Sequence, residues 1–441
     1  MSQYKAYPAY KDSGVEWIGQ VPEHWEVKPI CRVTSVNDDA LSDSTTGSTR
    51  ISYVDISSVG YTEGIKQATE MAFEDAPSRA RRKASTGDVV VSTVRTYLKA
   101  VAAVTDEYAD CIFSTGFAVL RARQLEQSFL KWMILNELLV QAIEAHSEGL
   151  SYPAINASAL VKLKSVIPPP EEQATIAAAL DCETARIDAL IQKKTRFIEL
   201  LKEKRQALIT HAVTKGLDPN VNMKDSGIEW IGQVPEHWEA TKLKHVAAFS
   251  GGGTPSKENP DYWNGCIPWV SPKDMKHEVI TDSIDHITTK GLENSATKLI
   301  DSGAVLLVAR SGILRHTIPV GINNVPVSLN QDMKALSLDE TRVRPRFILR
   351  WVQGLNRSLL GIWAKEGATV ESLEHEYVAN TRLPLPDLKE QDAILATLDR
   401  ETARINALIS KAEQSITLLK ERRAAFITAA VTGQIDLRGK Q

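Results

Sequence analysis

Along two stretches of this chain, apolar positions recur every three or four residues with no break in the pattern. From Glu171 to Lys215 and from Lys389 to Thr432 there is no glycine or proline, and both stretches are rich in Ala, Leu, Glu, Lys and Arg, the strong helix formers. Pro168, Pro169 and Pro170 stand before the first and Pro384 and Pro386 before the second, while Gly216 and Gly433 lie just past the ends, the expected start and stop marks. The first seam reads Leu180, Thr184, Ile187, Ile191, Lys194, Ile198, Leu201, Arg205 and Leu208. Its counterpart reads Leu398, Thr402, Ile405, Ile409, Ala412, Ile416, Leu419, Arg423 and Phe426. Steps of four and three alternate, a period near 3.5 that suits helix-on-helix packing more than burial under a sheet. Lys194 and Arg205 interrupt the seam, so their cations must extend past the interface or meet acids such as Glu199 and Glu203. Each helix is separated from its copy by a whole domain, which predicts an antiparallel pair; the alternative is a surface helix of a larger domain.

Between these helices the pattern changes to short β-branched runs bounded by turn residues. Ile51–Ile56, Asp88–Val94, Val101–Val104 and Phe117–Leu120 are predicted strands, and Gln127–Ala145 a helix. Later in the chain Ala304–Ala309, Thr317–Ile322 and Lys334–Leu338 are predicted strands, with Arg346–Leu355 helical. Both regions are therefore expected to be mixed α/β domains, each ending in a proline-rich step into its long helix.

The chain is also written twice. Lys11–Glu26 (KDSGVEWIGQVPEHWE) and Lys224–Glu239 match at 15 of 16 positions, and Glu172–Thr214 matches Glu390–Thr432 at 27 of 43. The segments in between, roughly 27–165 and 240–383, share no obvious similarity. A repeated frame carrying two unlike inserts implies that the frame makes the same contacts twice while each insert does a different job. The resulting division is a frame segment 1–26, a first variable domain 27–167, a central helix 168–215, a linker and second frame segment 216–239, a second variable domain 240–386, a C-terminal helix 387–432 and a tail 433–441. Trp17, Trp25, Trp230 and Trp238 belong to the frame and are expected to anchor the inserts to it.

At 441 residues, 43% hydrophobic and 24% charged, the chain has ample material for several cores. Its apolar runs are far short of a membrane span and its N-terminus lacks an apolar signal core, so it is expected to be cytoplasmic. Four isolated cysteines argue against a disulfide framework or structural zinc. A net charge of −3 means that any nucleic-acid surface must be local. Charges in the inserts nearly balance, 15 Lys/Arg against 16 Asp/Glu over 27–165 and 17 against 15 over 240–383, yet the cations cluster. Arg79, Arg81, Arg82 and Lys83 sit together, and Arg95, Tyr97 and Lys99 follow the strand ending VVVSTV. In the second insert Gly251–Lys257 reads as a flexible polar loop offering Thr254, Ser256 and Lys257; Lys273 follows it, and Arg310, Ser311 and Arg315 follow the strand AVLLVA. Apart from Arg79, these are the candidate DNA contacts, because Arg suits guanine edges, and hydroxyl and backbone N–H groups suit phosphates.

Catalytic motifs are missing. There is no GxxxxGK[ST], HExxH or GxSxG. Asn259–Tyr262 imitates the target-amine box of amino-methyltransferases, but a methyl-donor loop is absent, and a proline turn is the simpler reading. Asp261, Asp274 and Lys276 fit the PD…(D/E)xK spacing of metal-dependent nucleases, in which two carboxylates hold Mg²⁺ and the lysine supports the attacking water. That pattern is short, is not mirrored in the first insert, and no convincing core strand runs through Asp274. A nuclease and a non-specific scaffold remain the alternative functions; no metal or cofactor site is expected in this chain.

Over about residues 10–437 the sequence resembles the specificity subunits of type I restriction–modification systems. The resemblance is carried by the twice-written DSG(V/I)EWIGQVPEHWE, the repeat EQ…I…LD.ETARI.ALI…LLKE(K/R)R, SGGGTPSKENPDYWNGCIPWVSPKDM at 250–275 and SGAVLLVARSGI at 302–313. It implies an α+β fold: two mixed α/β target-recognition domains joined by two long helices packed as an antiparallel coiled coil, with internal pseudo-twofold symmetry. It further implies that each domain reads one half of a bipartite, asymmetric site in double-stranded DNA. The helices would set the spacer and dock two methyltransferase subunits, which bring S-adenosylmethionine. Two restriction subunits would bring ATP and Mg²⁺. This chain would itself be non-catalytic, with no membrane partner.

Overall fold

The two glycine- and proline-free stretches form single helices, Pro170–Lys215 (46 residues) and Leu388–Val431 (44 residues). Each stops where predicted, on a glycine in the left-handed region: Gly216 at φ 73° and Gly433 at φ 76°. At Gly433 the backbone closes with Gly433 N–H on the Ala430 carbonyl and Gln434 N–H on the Ala429 carbonyl, the paired bonds of a Schellman motif. The computed structural model describes residues 4–365 and 370–438. The chain divides into two compact units, Met1–Thr195 with Gln414–Gln441, and Arg196–Glu413, so each long helix contributes one half to each unit. No helix among the described residues is long and apolar enough to cross a membrane.

In the first unit Val89–Ser92 is flanked by Val101–Ala103 and Phe117–Ala122, with Thr34–Val36 beyond, all antiparallel. Strand alternation sends Val89 and Val91 into one core with Leu120, Phe129 and Leu180, and Val90 into another with Phe113 and Val119. Burial on both faces is why this run is continuously apolar. A second sheet runs Thr69–Ala72, Arg50–Val54, Ile112–Ser114, Ala80–Lys83. The expected helix over 127–145 is two, Gln127–Ile134 and Glu137–Ala145, because the Asn136 side chain caps the second by accepting from Leu138 N–H.

The second unit repeats the strand order of that first sheet in other residues. Its five-stranded sheet runs Ala247–Gly251, Met333–Leu338, Val305–Val308, Val320–Asn323, Val279–Ile280, and the middle strand Val305–Val308 is wholly buried. A three-stranded sheet holds Asp285–Ile287, Trp263–Val270 and Ser328–Leu329. Pro345–Gly354 and Asn356–Trp363 take the place of the two helices of the first unit.

The repeated frame does the same work in both units. Glu26–Pro29 pairs with Lys164–Ile167, and Glu239–Lys242 with Arg382–Leu385, closing each insert on itself. The Gln173 side chain accepts from Glu126 N–H and donates to the Pro168 carbonyl; Gln391 accepts from Arg344 N–H and donates to Pro386. Glu172 accepts from the Trp25 indole and contacts His24, as Glu390 does with Trp238 and His237. Each EQ pair thus ties the long helix to the frame through its acid and to the insert through its amide.

The twelve apolar seam positions are all buried or half-buried: Leu180, Ile187, Ile191, Ile198, Leu201, Leu208, Leu398, Ile405, Ile409, Ile416, Leu419 and Phe426. The helices run antiparallel within each unit. In the first, Arg423 meets Asp188 at 3.0 Å and Arg422 meets Glu183; in the second, Arg205 donates to Asn406 at 2.7 Å. The seam arginine Arg205 therefore reaches across to the partner helix, not to Glu199 or Glu203 on its own. Those two acids flank Arg196 instead.

Candidate nucleic-acid interface

In the second unit a cleft of about 940 Å³ brings Thr254, Lys257, Lys273 and Ser311 together with Asn330 and Gln331. The loop carrying Thr254 and Lys257 was expected to be flexible, but it is fastened. The Trp269 indole donates to the Gly253 carbonyl at 2.9 Å and the Trp263 indole to the Ser256 carbonyl at 3.0 Å, with the two rings packed edge to face 5.1 Å apart. The glycines serve close approach: a Cβ on Gly252 would lie 2.0 Å from the Asn330 carbonyl oxygen. Thr254 donates to Gln331, linking this loop to the turn before Met333–Leu338. Lys273 is presented by a turn that Asp274 holds, its carboxylate accepting from Ser271 N–H and Oγ at 2.8 Å each and from Ile284 N–H.

Ser256 is exposed on the same loop outside the cleft lining. Arg310 is exposed at the cleft edge, where Asp332 holds its guanidinium at 2.7 Å. Arg315 lies elsewhere. It pairs with Glu371 at 3.1 Å and lines a second, larger groove of about 1640 Å³ with Arg205, Lys276, Arg350 and Arg357. The nuclease-like residues serve structural contacts: Asp274 builds its turn, and the exposed Asp261 pairs with Lys290, whose hydrogen bond holds its carboxyl below the usual range. Among the described residues no group of three or more His, Cys, Asp or Glu side chains is placed to hold a metal.

In the first unit the predicted basic cluster separates. Arg81, Arg82 and Lys83 stand on the strand Ala80–Lys83, not on a loop, and alternation puts Arg81 and Arg82 on opposite faces. Arg81 lies over the Phe73 ring at 4.7 Å, Arg82 is half-buried, and Lys83 is exposed. Arg79 bonds the Tyr53 hydroxyl and Asp55. Arg95, Tyr97 and Lys99 do share a loop. A 3₁₀ turn, Thr96–Leu98, separates Arg95 and Lys99, and the Arg95 guanidinium lies 5.1 Å above the Tyr152 ring.

The family described as the type I restriction modification DNA specificity domain matches residues 235–418. The specificity subunit of the EcoR124I/EcoR124II type I restriction enzyme of Escherichia coli is 31% identical over 206 residues, which cover 46% of this chain and 48% of that one. The match thus spans about half the length of that relative. The putative MjaX type I specificity subunit of Methanocaldococcus jannaschii is 23% identical over 96% of both chains. Over residues 235–418 the chain thus matches the type I restriction modification DNA specificity domain. Among solved structures, the HsdS subunit from Thermoanaerobacter tengcongensis has the same fold at TM-score 0.55 and 23% identity, covering 94% of this chain and 98% of its own. A chain from "Structural basis underlying complex assembly and conformational transition of the type I R-M system" reaches 0.75 at 22% identity, covering 94% and 99%.

The polar cleft side chains that the sequence does not advertise are Asn330 and Gln331. They sit in a two-strand turn with no glycine or basic cluster to mark it, and only the Thr254 contact reveals that they face the cleft. Tyr152 was missed for a similar reason. Its loop lies 53 residues beyond Lys99 and joins that turn only through tertiary contacts, Thr96 Oγ1 to Ser147 at 2.9 Å among them.

Proposed function

We propose that this chain supplies the DNA address of a type I restriction–modification complex and none of its bond-making. Each variable domain reads one half of a bipartite, asymmetric site in double-stranded DNA. The second does so through the cleft that holds Thr254, Lys257, Lys273, Ser311, Asn330 and Gln331. Amides are suited to adenine edges and cations to phosphates and guanine. The paired helices set the unread gap between half-sites and dock two methyltransferase subunits, which bring S-adenosylmethionine. Restriction subunits supply ATP-driven action with Mg²⁺, and the complex works on DNA in the cytoplasm.

One observation carries this reading: two unlike sets of polar loops are held by the same EQ, His-Trp and strand-pair contacts, made once in each unit. A second feature favours two copies of one docking partner. Leu190 and Leu408 are equivalent in the repeats, as are Leu200 and Leu418, and all four are exposed, so each unit offers one of each kind. The test is to exchange residues 27–165 for the matching region of a relative and sequence the methylome made with the methyltransferase. One half-site should change while the other half and the gap stay; an unchanged site would favour a scaffold without specificity.

A further inference from the structure

The turn that follows Val89–Ser92 differs in kind from its counterpart after Val305–Val308. It offers Tyr97 and Leu98 to solvent at 48% and 44% exposure, and the adjoining segment offers Leu150, fully exposed, and Tyr152 at 65%. Large apolar side chains gathered on adjoining loops are what proteins keep for a contact. The loops are fastened where they meet. Thr96 is buried, its N–H reaches the Pro153 carbonyl, and Val94 bridges Ala154. The patch is therefore held out from a fixed base.

Its flanks are cationic. Arg95 and Lys99 stand on either side of the turn at φ 51° and 49°, a left-handed conformation that L residues other than glycine rarely adopt. Neither has a carboxylate within ion-pairing distance among the described residues, whereas in the second unit Arg310 is held by Asp332 and Arg315 by Glu371. There, among the described residues, the turn Gly312–Arg315 exposes one large apolar side chain, Ile313, and the adjoining segment one more, the smaller Val370. An apolar tip between two cations that no carboxylate neutralises, one of them resting on the Tyr152 ring, is complementary to stacked bases bordered by phosphates.

We propose that Tyr97 and Leu98 form a wedge that enters between adjacent base pairs of the first half-site, with Arg95 and Lys99 on the phosphates either side. This rests on the DNA-reading function above and extends it: the first unit selects its half-site partly by how readily one base step opens. Pyrimidine–purine steps open most easily. Unstacking by the wedge would also ease removal of a nearby target base from the helix, which a base-modifying partner must achieve.

The experiment uses the full chain assembled with its methyltransferase, and duplexes bearing the site found by methylome sequencing. 2-Aminopurine replaces each base of the first half-site in turn. Fluorescence should rise several-fold at one step beyond the methylated base, and the rise should be lost in the Tyr97→Ala/Leu98→Ala double variant but kept in Tyr97→Phe. Arg95→Ala should weaken binding and lower the salt dependence by about one phosphate contact, with the brightening retained. No brightened step, or equal brightening in the double variant, overturns the wedge while leaving the DNA-reading function intact. If the double variant instead fails to assemble with the methyltransferase in the absence of DNA, the patch is a protein-docking surface and the wedge is wrong. Loss of sequence-selective methylation by the unaltered complex would remove the underlying function itself.

Discussion

Replacing Glu172 and Glu390 by alanine, one at a time, should destabilise the two units unequally, although the residues occupy the same position of the repeat. The Glu172 side chain is 6% exposed and that of Glu390 28%. Glu172 accepts from the Tyr7 hydroxyl and the Trp25 indole, at 3.0 Å each, and both donors are buried. Burial, and after it the Glu172 carboxylate, drives the Tyr7 hydroxyl pKa upward, so the phenol remains a donor at any ordinary pH. Glu390 accepts from one buried donor, the Trp238 indole at 3.1 Å, and from the exposed His237. A buried donor left without an acceptor costs about 1–3 kcal/mol, so Glu172→Ala, which strands two, should cost roughly 2–6 kcal/mol and Glu390→Ala, which strands one, roughly 1–3. Glu172→Gln, whose amide oxygen can take the place of Oε2, the one oxygen that accepts both bonds, should recover most of the first loss. Native-state hydrogen exchange resolves the units separately, read on peptides from 170–180 and from 388–398. Equal losses, or a larger one for Glu390→Ala, would refute the reasoning that the number of stranded buried donors sets the cost.

Other expectations follow from single contacts. Asn406→Asp should give Arg205 the ion pair that Asp188 gives Arg423, raising the stability of the second unit by at most about 1 kcal/mol in double-mutant cycles, with the gain fading at high salt. Gly252→Ala drives a Cβ against the Asn330 carbonyl and should displace the Thr254 loop, so methylome sequencing should find selectivity relaxed in one half-site and unchanged in the other. Asp38 is held below the ordinary aspartate value of 3.8 by the Ser35 hydroxyl and then by Arg123 and Arg121, and Asp436 chiefly by Arg438. The folded protein therefore binds these two protons at lower pH than the unfolded chain does. The stability they contribute is present above 3.8 and is lost as pH falls through their lowered values, so melting temperature should drop as pH falls below 3.8, less steeply in Asp38→Asn.

The fold was legible where a pattern is local. The long helices, their glycine stops and the runs around Val89 and Val305 follow from spacing and composition alone. The division of Gln127–Ala145 into two helices was not, since it depends on one asparagine side chain turning back to cap Leu138. The strand Ala80–Lys83 was hidden because its partner Ile112–Ser114 lies some thirty residues away in the chain, and four residues reading Ala-Arg-Arg-Lys carry no β signature. The cleft was half legible. Thr254, Lys257, Lys273 and Ser311 advertise themselves by glycines, prolines and charge, but that Arg315 faces another groove, and that Gln331 joins the four, depends on how strands cross.

Because each long helix is shared between the units, synthesis and folding run in different orders. Residues 196–413, a continuous stretch, make up the second unit whole. The first unit emerges earlier but lacks Phe426, Ile427, Ala429, Ala430 and Val431 from its core until the end of the second helix is translated. At 5–20 residues per second the ribosome takes about 10–45 s to cross the intervening stretch. For that interval the earlier-made domain exposes an apolar groove shaped for a helix not yet made, and a chaperone bound there would guard it until the nascent chain catches up.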